Sequence, residues 1–433
     1  MFEKRVLIKD AGHSTGKIVE LAGWVHNLRV LSKFSFLILR DRSGTVQCVV
    51  DASLFDTRKL NLEDLVILKG KVAEDKRSKI GYEIQTTHIE IVSKAHEQLP
   101  ILVNKPLQNL NLNLDTILDH RTLSIRQEEI SSIFKIQNKL IQSFREYLLK
   151  NDFTEIYTPK IVATGTEGGS ELFQVKYFER KAYLAQSPQF YKQHMVGAGY
   201  ERVFETAHVY RAEQHNTSRH LNEYYSLDFE MGFINDETDI MRFEMGLLSY
   251  MFSKVREECH KELSLFKYVL PEFKEIPIIS LEEACKILLK KFKKDVHGDL
   301  DPDSEKLLCE YFDKENGMPL VFVNDYPQSK RPMYAMPHKT KKGLTHSFDL
   351  IFNGLEITTG GQRIHNYDML VQSIASRGLD PESFKDYLEI FKFGMPPHGG
   401  LAIGAERITM KVLNLTNIRE ACFYPRDRIR ITP

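Results

Sequence analysis

VFETAHVYRAEQHNTSRHLNEYYSLDFEM, residues 203–231, holds two extended runs on either side of a polar stretch. The first run leads to Arg211 and Glu213, the polar stretch carries His215, Arg219 and His220, and the second run holds Tyr224, Asp228 and Glu230. This pattern predicts two antiparallel strands joined by a long loop. The planar fork of an arginine suits a phosphate, because it binds two oxygens at once. Tyr224 offers a face on which a purine can stack. Standing alone, the same stretch also reads as a surface hairpin with solvated charges.

Three further constellations surround it. HGGLAIGAERITMKVLNL (398–415) runs from a glycine-opened strand through Gly404 to Arg407 at the start of a helix, where backbone N–H groups attract anions. In SFDLIFNGLEITTGGQRIHNYDML (347–370), Asp349 and Glu356 lie across an expected bend, spaced to share Mg²⁺. There Thr358, Thr359, Gly360 and Gly361 let the backbone approach a ligand, with Arg363 as a fixed cation. Upstream, TGTEGGSE (164–171) is a small-residue loop whose Glu167 is placed to close over an amine, and SPQFYKQ gathers Ser187, Gln189 and Lys192. Each cluster has a bland counterpart among solvated surface groups; their joint presence favours a pocket for anions.

The flanks set the architecture. Residues 1–100 show five runs rich in Val, Ile, Leu and Phe, at 18–29, 34–41, 45–51, 65–75 and 82–93, with room for one short helix between the third and fourth. Five strands and a helix in that length predict a small closed barrel of the OB type. Its 16 Lys+Arg against 13 Asp+Glu make it mildly basic. Residues 101–126 are expected as a hinge. From Glu128 the apolar period becomes 3.6, predicting a long helix ending near Lys150. Strands and helices then mix without βαβ alternation, so residues 127–433 are expected as an α+β domain with a mainly antiparallel sheet flanked by helices. The charged helical patterns of 235–320 are expected as an insertion.

Composition narrows the class. With 59 Lys+Arg against 59 Asp+Glu, the 433-residue chain is not a globally basic nucleic-acid binder. No apolar run is long enough for a bilayer, the start has no signal-peptide core, and five scattered cysteines form no CxxC pair. The expectation is a cytoplasmic protein with reduced thiols and neither a membrane nor DNA as partner. There is no P-loop, no GxGxxG, no GxSxG and no HExxH. The basic runs KKFKK (290–294) and KTKK (339–342) read as solvated faces in preference to RNA contacts.

Taken in order, these constellations resemble the class II aminoacyl-tRNA synthetases, and most closely the archaeal-type aspartyl-tRNA synthetases. The resemblance runs through FTEIYTPKIV with its Pro159, the Arg211 hairpin and GLAIGAERI. It continues in GWVHNLR, AQSPQFYKQ, GLEITTGGQRIH and NIREACFYPRDRIRITP, covering nearly the whole chain. It implies ATP as substrate, Mg²⁺, L-aspartate, tRNA(Asp) and a homodimer built around the Pro159 element. By position it implies that Arg211 contacts the α-phosphate and the amino-acid carboxylate, and that Arg407 binds the γ-phosphate. Glu213, Arg219, His220, Tyr224, Glu356 and Gly404 would complete the ATP site, and Asp349, Glu356 and Thr359 would hold the metal. Ser187, Gln189, Asp228, Thr359 and Glu167 would orient aspartate, with Lys192 and Arg363 gripping its side-chain carboxylate. His26, Arg29, Phe36, Gln47 and Glu83 match anticodon-reading positions, where Phe36 would stack on a base; its alternative is a barrel-core residue.

Asparaginyl relatives resemble the chain but carry an acid where Lys192 stands, so lysine favours aspartate. Charging of tRNA(Asn) beside tRNA(Asp) stays open. A tRNA-independent asparagine synthetase would lack the barrel, and a decayed non-catalytic RNA-binding relative would have lost Arg211, Glu356 or Arg407.

Overall fold

The computed structural model describes residues 3–166 and 171–433; Glu167 lies outside them. The chain divides into two compact units, Met1–Gln127 and Glu128–Pro433. In the first, β1 (Ile18–Val30), β2 (Phe34–Asp41), β3 (Gly44–Asp51), β4 (Leu65–Glu74) and β5 (Tyr82–Ser93) close into a barrel in the order β1-β2-β3-β5-β4. Side chains alternate across a strand, so Leu37, Leu39, Val46, Cys48, Val50 and Ile84 fill the barrel. The helix expected between β3 and β4 is only a 3₁₀ turn, Thr57–Lys59. There Asp64 accepts from the amides of Asn61 (2.8 Å) and Ala95 (2.7 Å), holding the segment in turns rather than helix. Residues 101–126 group with the barrel and contain two short helices, Leu114–Asp119 and Arg121–Ser124.

The second unit opens with the helix Glu128–Lys150, its first turn acidic and its apolar face buried through Ile133, Leu140, Phe144 and Leu148. Strands β6 (Thr154–Glu155), β7 (Ile161–Val162), β8 (Gln174–Tyr177), β9 (Arg180–Leu184), β10 (Arg202–Tyr210) and β11 (Glu223–Gly232) follow. After them come β12 (Ile278–Ser280), β13 (Leu320–Asn324), β14 (Ser347–Phe352), β15 (Leu355–Arg363) and β16 (His398–Gly404). Eight form one sheet in the order β12-β13-β14-β15-β16-β11-β10-β6, and β7, β9 and β8 form a small second sheet. Only β12–β13 and β6–β10 are parallel in the large sheet, which is the mainly antiparallel α+β arrangement expected.

Alternation sorts this sheet into two faces. Leu227, Phe229, Phe348, Leu350, Leu401 and Ile403 pack against the helices Glu128–Lys150 and Glu237–Glu258 in the main core. Each fully buried Phe or Leu there contributes on the order of 1.5–3 kcal/mol. Ser226, Asp228, Glu230, Asp349, Gly400 and Ala402 occupy the alternate positions. Residues 235–320 are not an appended insertion. The helix Glu237–Glu258 supplies Leu247, Leu248, Met251 and Phe252 to the main core, and β12 and β13 extend the sheet. Their charge pattern misled because a helix packed on one face still exposes the other. No helix among the described residues is long and apolar enough to cross a membrane, and all five cysteines are free.

Candidate active site

The polar face of the large sheet carries a cavity of about 320 Å³, lined among others by Ser187, Gln189, Arg211, Glu213, Arg219, His220, Tyr224 and Asp228. Glu356, Thr359, Arg363, Gly404 and Arg407 complete the set of sequence-singled residues along its wall. Four separate segments therefore converge. Arg211 follows β10 and stays near the Tyr224 ring, its guanidinium 5.9 Å from the ring centre. The loop after it turns back at Thr217, whose hydroxyl lies 2.7 Å from His220 Nδ1. Burial first, then the charges of Arg407 and Arg219, push His220 down to about 4, so the imidazole is neutral near pH 7.

The β14–β15 hairpin shapes the wall beneath. Asn353 and Gly354 both take positive φ (47° and 74°), the pair of left-handed residues that a tight hairpin turn requires. A β-bulge shifts the register between Leu350 and Ile351. It places Glu356 on the same face as Thr359, whose hydroxyl donates to Glu356 Oε1 at 2.8 Å. Arg407, from the helix Ala405–Val412, donates to the Glu356 carbonyl (3.0 Å) and faces its carboxylate (3.4 Å). Burial raises the Glu356 carboxyl, but Arg407 and the Thr359 hydroxyl more than offset it and hold it below the ordinary range. Gly404 has φ −74°, and a Cβ there would meet Arg407 only at 3.5 Å. Among the described residues nothing requires that glycine.

The closed end of the cavity is a charge network. Arg363 donates to Glu230 Oε1 (3.0 Å), the Gly400 carbonyl (3.0 Å) and Gln189 Oε1 (3.4 Å). Lys192 donates to Asp228 Oδ1 (2.8 Å) and the Leu401 carbonyl (3.2 Å), and lies 3.5 Å from Glu230. Burial pushes Glu230 up, yet Arg363 and Lys192 hold it below the ordinary carboxylate range. A Cβ on Gly400 would collide with the Phe229 carbonyl and the Glu230 carboxylate, so β16 passes over Glu230 only as glycine.

Two expectations shift. Lys192 is expected from the resemblance to grip the substrate's side-chain carboxylate directly. It sits in the middle of the helix Gln189–Met195, fully buried beneath the cavity floor. Asp349 was expected as a metal ligand beside Glu356. Both of its oxygens accept from Arg331 (2.9 and 2.6 Å), and burial raises its carboxyl even against that charge. Sequence reading left Arg331 and Glu305 unassigned. Arg331 lines the cavity and stacks 3.7 Å over Tyr326. Glu305, from the helix Pro302–Asn316, pairs with Arg219 and accepts from the Glu356 amide (3.1 Å). Burial pushes Glu305 up to about 7. Glu305 had no local signal, since an acid in a charged helix reads as solvated.

On the barrel, Arg29 and Phe36 face each other across β1 and β2. Gln47 donates to Glu83 at 3.0 Å. Phe36 lies outside the barrel core and meets Phe34 edge-on at 5.3 Å. His26 occupies the bulge between Val25 and Asn27, with Nδ1 3.0 Å from Arg40.

An antiparallel sheet carrying arginines from a strand–loop–strand and from a strand–helix junction defines the class. The family model described as tRNA synthetases class II (D, K and N) matches residues 113–428, and an OB-fold nucleic acid binding domain matches residues 19–92. The chain belongs to the class II tRNA synthetases of this D, K and N group. It is 48% identical over 431 residues to the aspartate–tRNA(Asp/Asn) ligase of Thermus thermophilus, covering 99% of this chain and 100% of that one. It is 44% identical to the aspartate–tRNA(Asp) ligase of Pyrococcus abyssi, covering 96% and 97%. Among solved structures it is similar to an asparaginyl-tRNA synthetase from Pyrococcus horikoshii complexed with asparaginyl-adenylate, with TM-score 0.93, 34% identity and full coverage of both chains.

Proposed function

We propose that the chain is an aspartate–tRNA ligase that forms aspartyl-adenylate from L-aspartate and ATP and passes the aspartyl group to the 3′ end of tRNA(Asp). The observation that carries this reading is the charge network at the closed end of the cavity. Lys192 and Arg363 balance Asp228 and Glu230. An acid in place of Lys192 would leave three carboxylates against one guanidinium and favour a neutral amide. With lysine, Arg363 keeps attraction for a substrate carboxylate. Lys192 thus acts from beneath the floor, through Asp228 and Glu230.

The chemistry is positioning and electrostatics. The α-carboxylate of aspartate attacks the α-phosphate, a P–O bond forms, and the bond to pyrophosphate breaks. Two anions must meet, and in this reading Arg211 contacts both, supported by its place with Arg407 and Arg219 in the cavity lining. Ser187, Gln189 and Asp228 orient the ammonium group. No side chain is needed as nucleophile. The donor set at Glu356 and Thr359, one carboxylate and one hydroxyl, fits Mg²⁺ that keeps waters and phosphate oxygens; Asp349 is committed to Arg331. Mg²⁺ bound there would neutralise triphosphate charge.

Arg29, Phe36, Gln47 and Glu83 form the proposed anticodon face, by stacking and base-edge hydrogen bonds. We assign tRNA(Asn) as a second acceptor, in line with the relative from Thermus thermophilus whose name carries both. A homodimer is proposed around β6, the end strand of the sheet, where Tyr157 (84% exposed) and Ile161 leave apolar surface uncovered. The working compartment is proposed as the cytoplasm. Charging assays with pure tRNA(Asp) and tRNA(Asn) test the assignment: aspartate accepted by both supports it, and no charging of tRNA(Asn) restricts the enzyme to tRNA(Asp).

A further inference from the structure

Away from the cavity, the start of the helix Glu237–Glu258 meets the segment between β13 and β14. Glu237, His338 and His346 each offer one ligand atom, and these atoms lie within 4.8 Å of one another. His346 Nδ1 is 2.5 Å from Glu237 Oε2, and the two imidazole rings lie with centroids 3.6 Å apart, tilted by 39°. His338 Nε2 is 2.7 Å from Asp325 Oδ1, which fixes the ring and leaves its other nitrogen for a ligand. Lys341 caps the second oxygen of Asp325 at 2.6 Å. Glu237 and Asp325 are buried, with side chains about one-twentieth exposed. None of the three ligand residues lines the cavity.

We propose that Glu237, His338 and His346 form a site for a divalent transition ion of the zinc type, with Asp325 orienting His338. Two imidazoles and one carboxylate suit Zn²⁺ or Co²⁺, whereas Mg²⁺ takes oxygen ligands. With both imidazoles neutral, Glu237 and Asp325 against Lys341 leave one net negative charge for the cation. The ion would replace the Glu237–His346 hydrogen bond with a shared ligand and a solvent molecule would complete four-coordination. It would clip together the helix start, the residue just after β13 and the residue just before β14. The clip reaches the active site through the backbone, because the His346 carbonyl accepts from the Gln362 amide (2.8 Å), one residue before Arg363.

Full-length protein stripped with EDTA and titrated with Co²⁺, without ATP, tests this. The expected result is one equivalent bound with visible ligand-field absorption, no thiolate charge-transfer band, and displacement by Zn²⁺. H338Q and H346Q each abolish the band, D325N weakens Co²⁺ affinity about tenfold, and Zn²⁺ but not Mg²⁺ raises the melting temperature of the unsubstituted protein. Should a histidine variant fail to fold, D325N and the Zn²⁺ melting shift carry the decision. No saturable visible band, a band that survives both histidine substitutions, or a thiolate band would overturn the proposal.

Discussion

Lys192 carries its charge fully buried, outside the cavity lining. Breaking a buried ion pair by removing one partner typically costs about 3–5 kcal/mol, because the remaining charge is stranded. Lys192→Gln is expected to lose stability of that order in urea denaturation and at least a hundredfold in aspartate-dependent pyrophosphate exchange. Residual exchange should shift towards asparagine, which a purely structural lysine would not do. Gly400→Ala tests the floor from the other side: a methyl pressed on the Phe229 carbonyl and the Glu230 carboxylate should cost about 1–3 kcal/mol in the same denaturation experiment. The residue types in SPQFYKQ and GLEITTGGQRIH were enough to gather Ser187, Gln189, Thr359 and Arg363 at one cavity. Depth was not legible, because a lysine one turn into a helix reads the same whether it lines a pocket or underlies it.

At the scale of elements, hydrophobic alternation made the strands of the barrel and of the β10–β11 pair readable to within a residue or two. It could not show the β15 bulge, which moves Glu356 onto the face of Thr359 by one extra residue. Nor could it show that the helix Pro302–Asn316 sends Glu305 to Arg219. Losing a charge-assisted bond of about 1.4 kcal/mol is a factor of ten. Glu305→Gln is therefore expected to raise the KM for ATP roughly tenfold with kcat changed less, measured by exchange kinetics.

A second element-scale consequence concerns the helix Glu237–Glu258. Glu244, buried behind β15 and accepting from Thr358 (2.6 Å), is pushed by burial from the ordinary 4.5 up to about 8. The folded chain keeps a proton that the unfolded chain releases, so this carboxyl costs stability progressively as pH rises from 4.5 to 8. Glu406, raised by burial to about 7, adds the same sign. The melting temperature of Glu244→Gln is expected to fall less over that window than that of the unsubstituted chain.

For the whole molecule, the proposed function assigns anticodon reading to the first compact unit and adenylate chemistry to the second. A fragment spanning Glu128–Pro433 is expected to retain aspartate-dependent exchange within about tenfold, since every cavity residue lies in it. The same fragment should lose tRNA charging by several orders of magnitude, measured with pure tRNA(Asp). This division was legible from the switch between strand-rich and helix-led sequence near Glu128. The place of residues 235–320 was not, because membership of a core is a long-range fact that local charge patterns do not carry.

The central claim is that the charge network of Lys192, Asp228, Glu230 and Arg363 selects a carboxylate side chain for activation. Amino-acid-dependent ATP–pyrophosphate exchange with Mg²⁺, run separately with aspartate and asparagine, tests it most directly. Exchange supported by aspartate and not by asparagine is the predicted result; exchange supported by asparagine, or by neither, would contradict it.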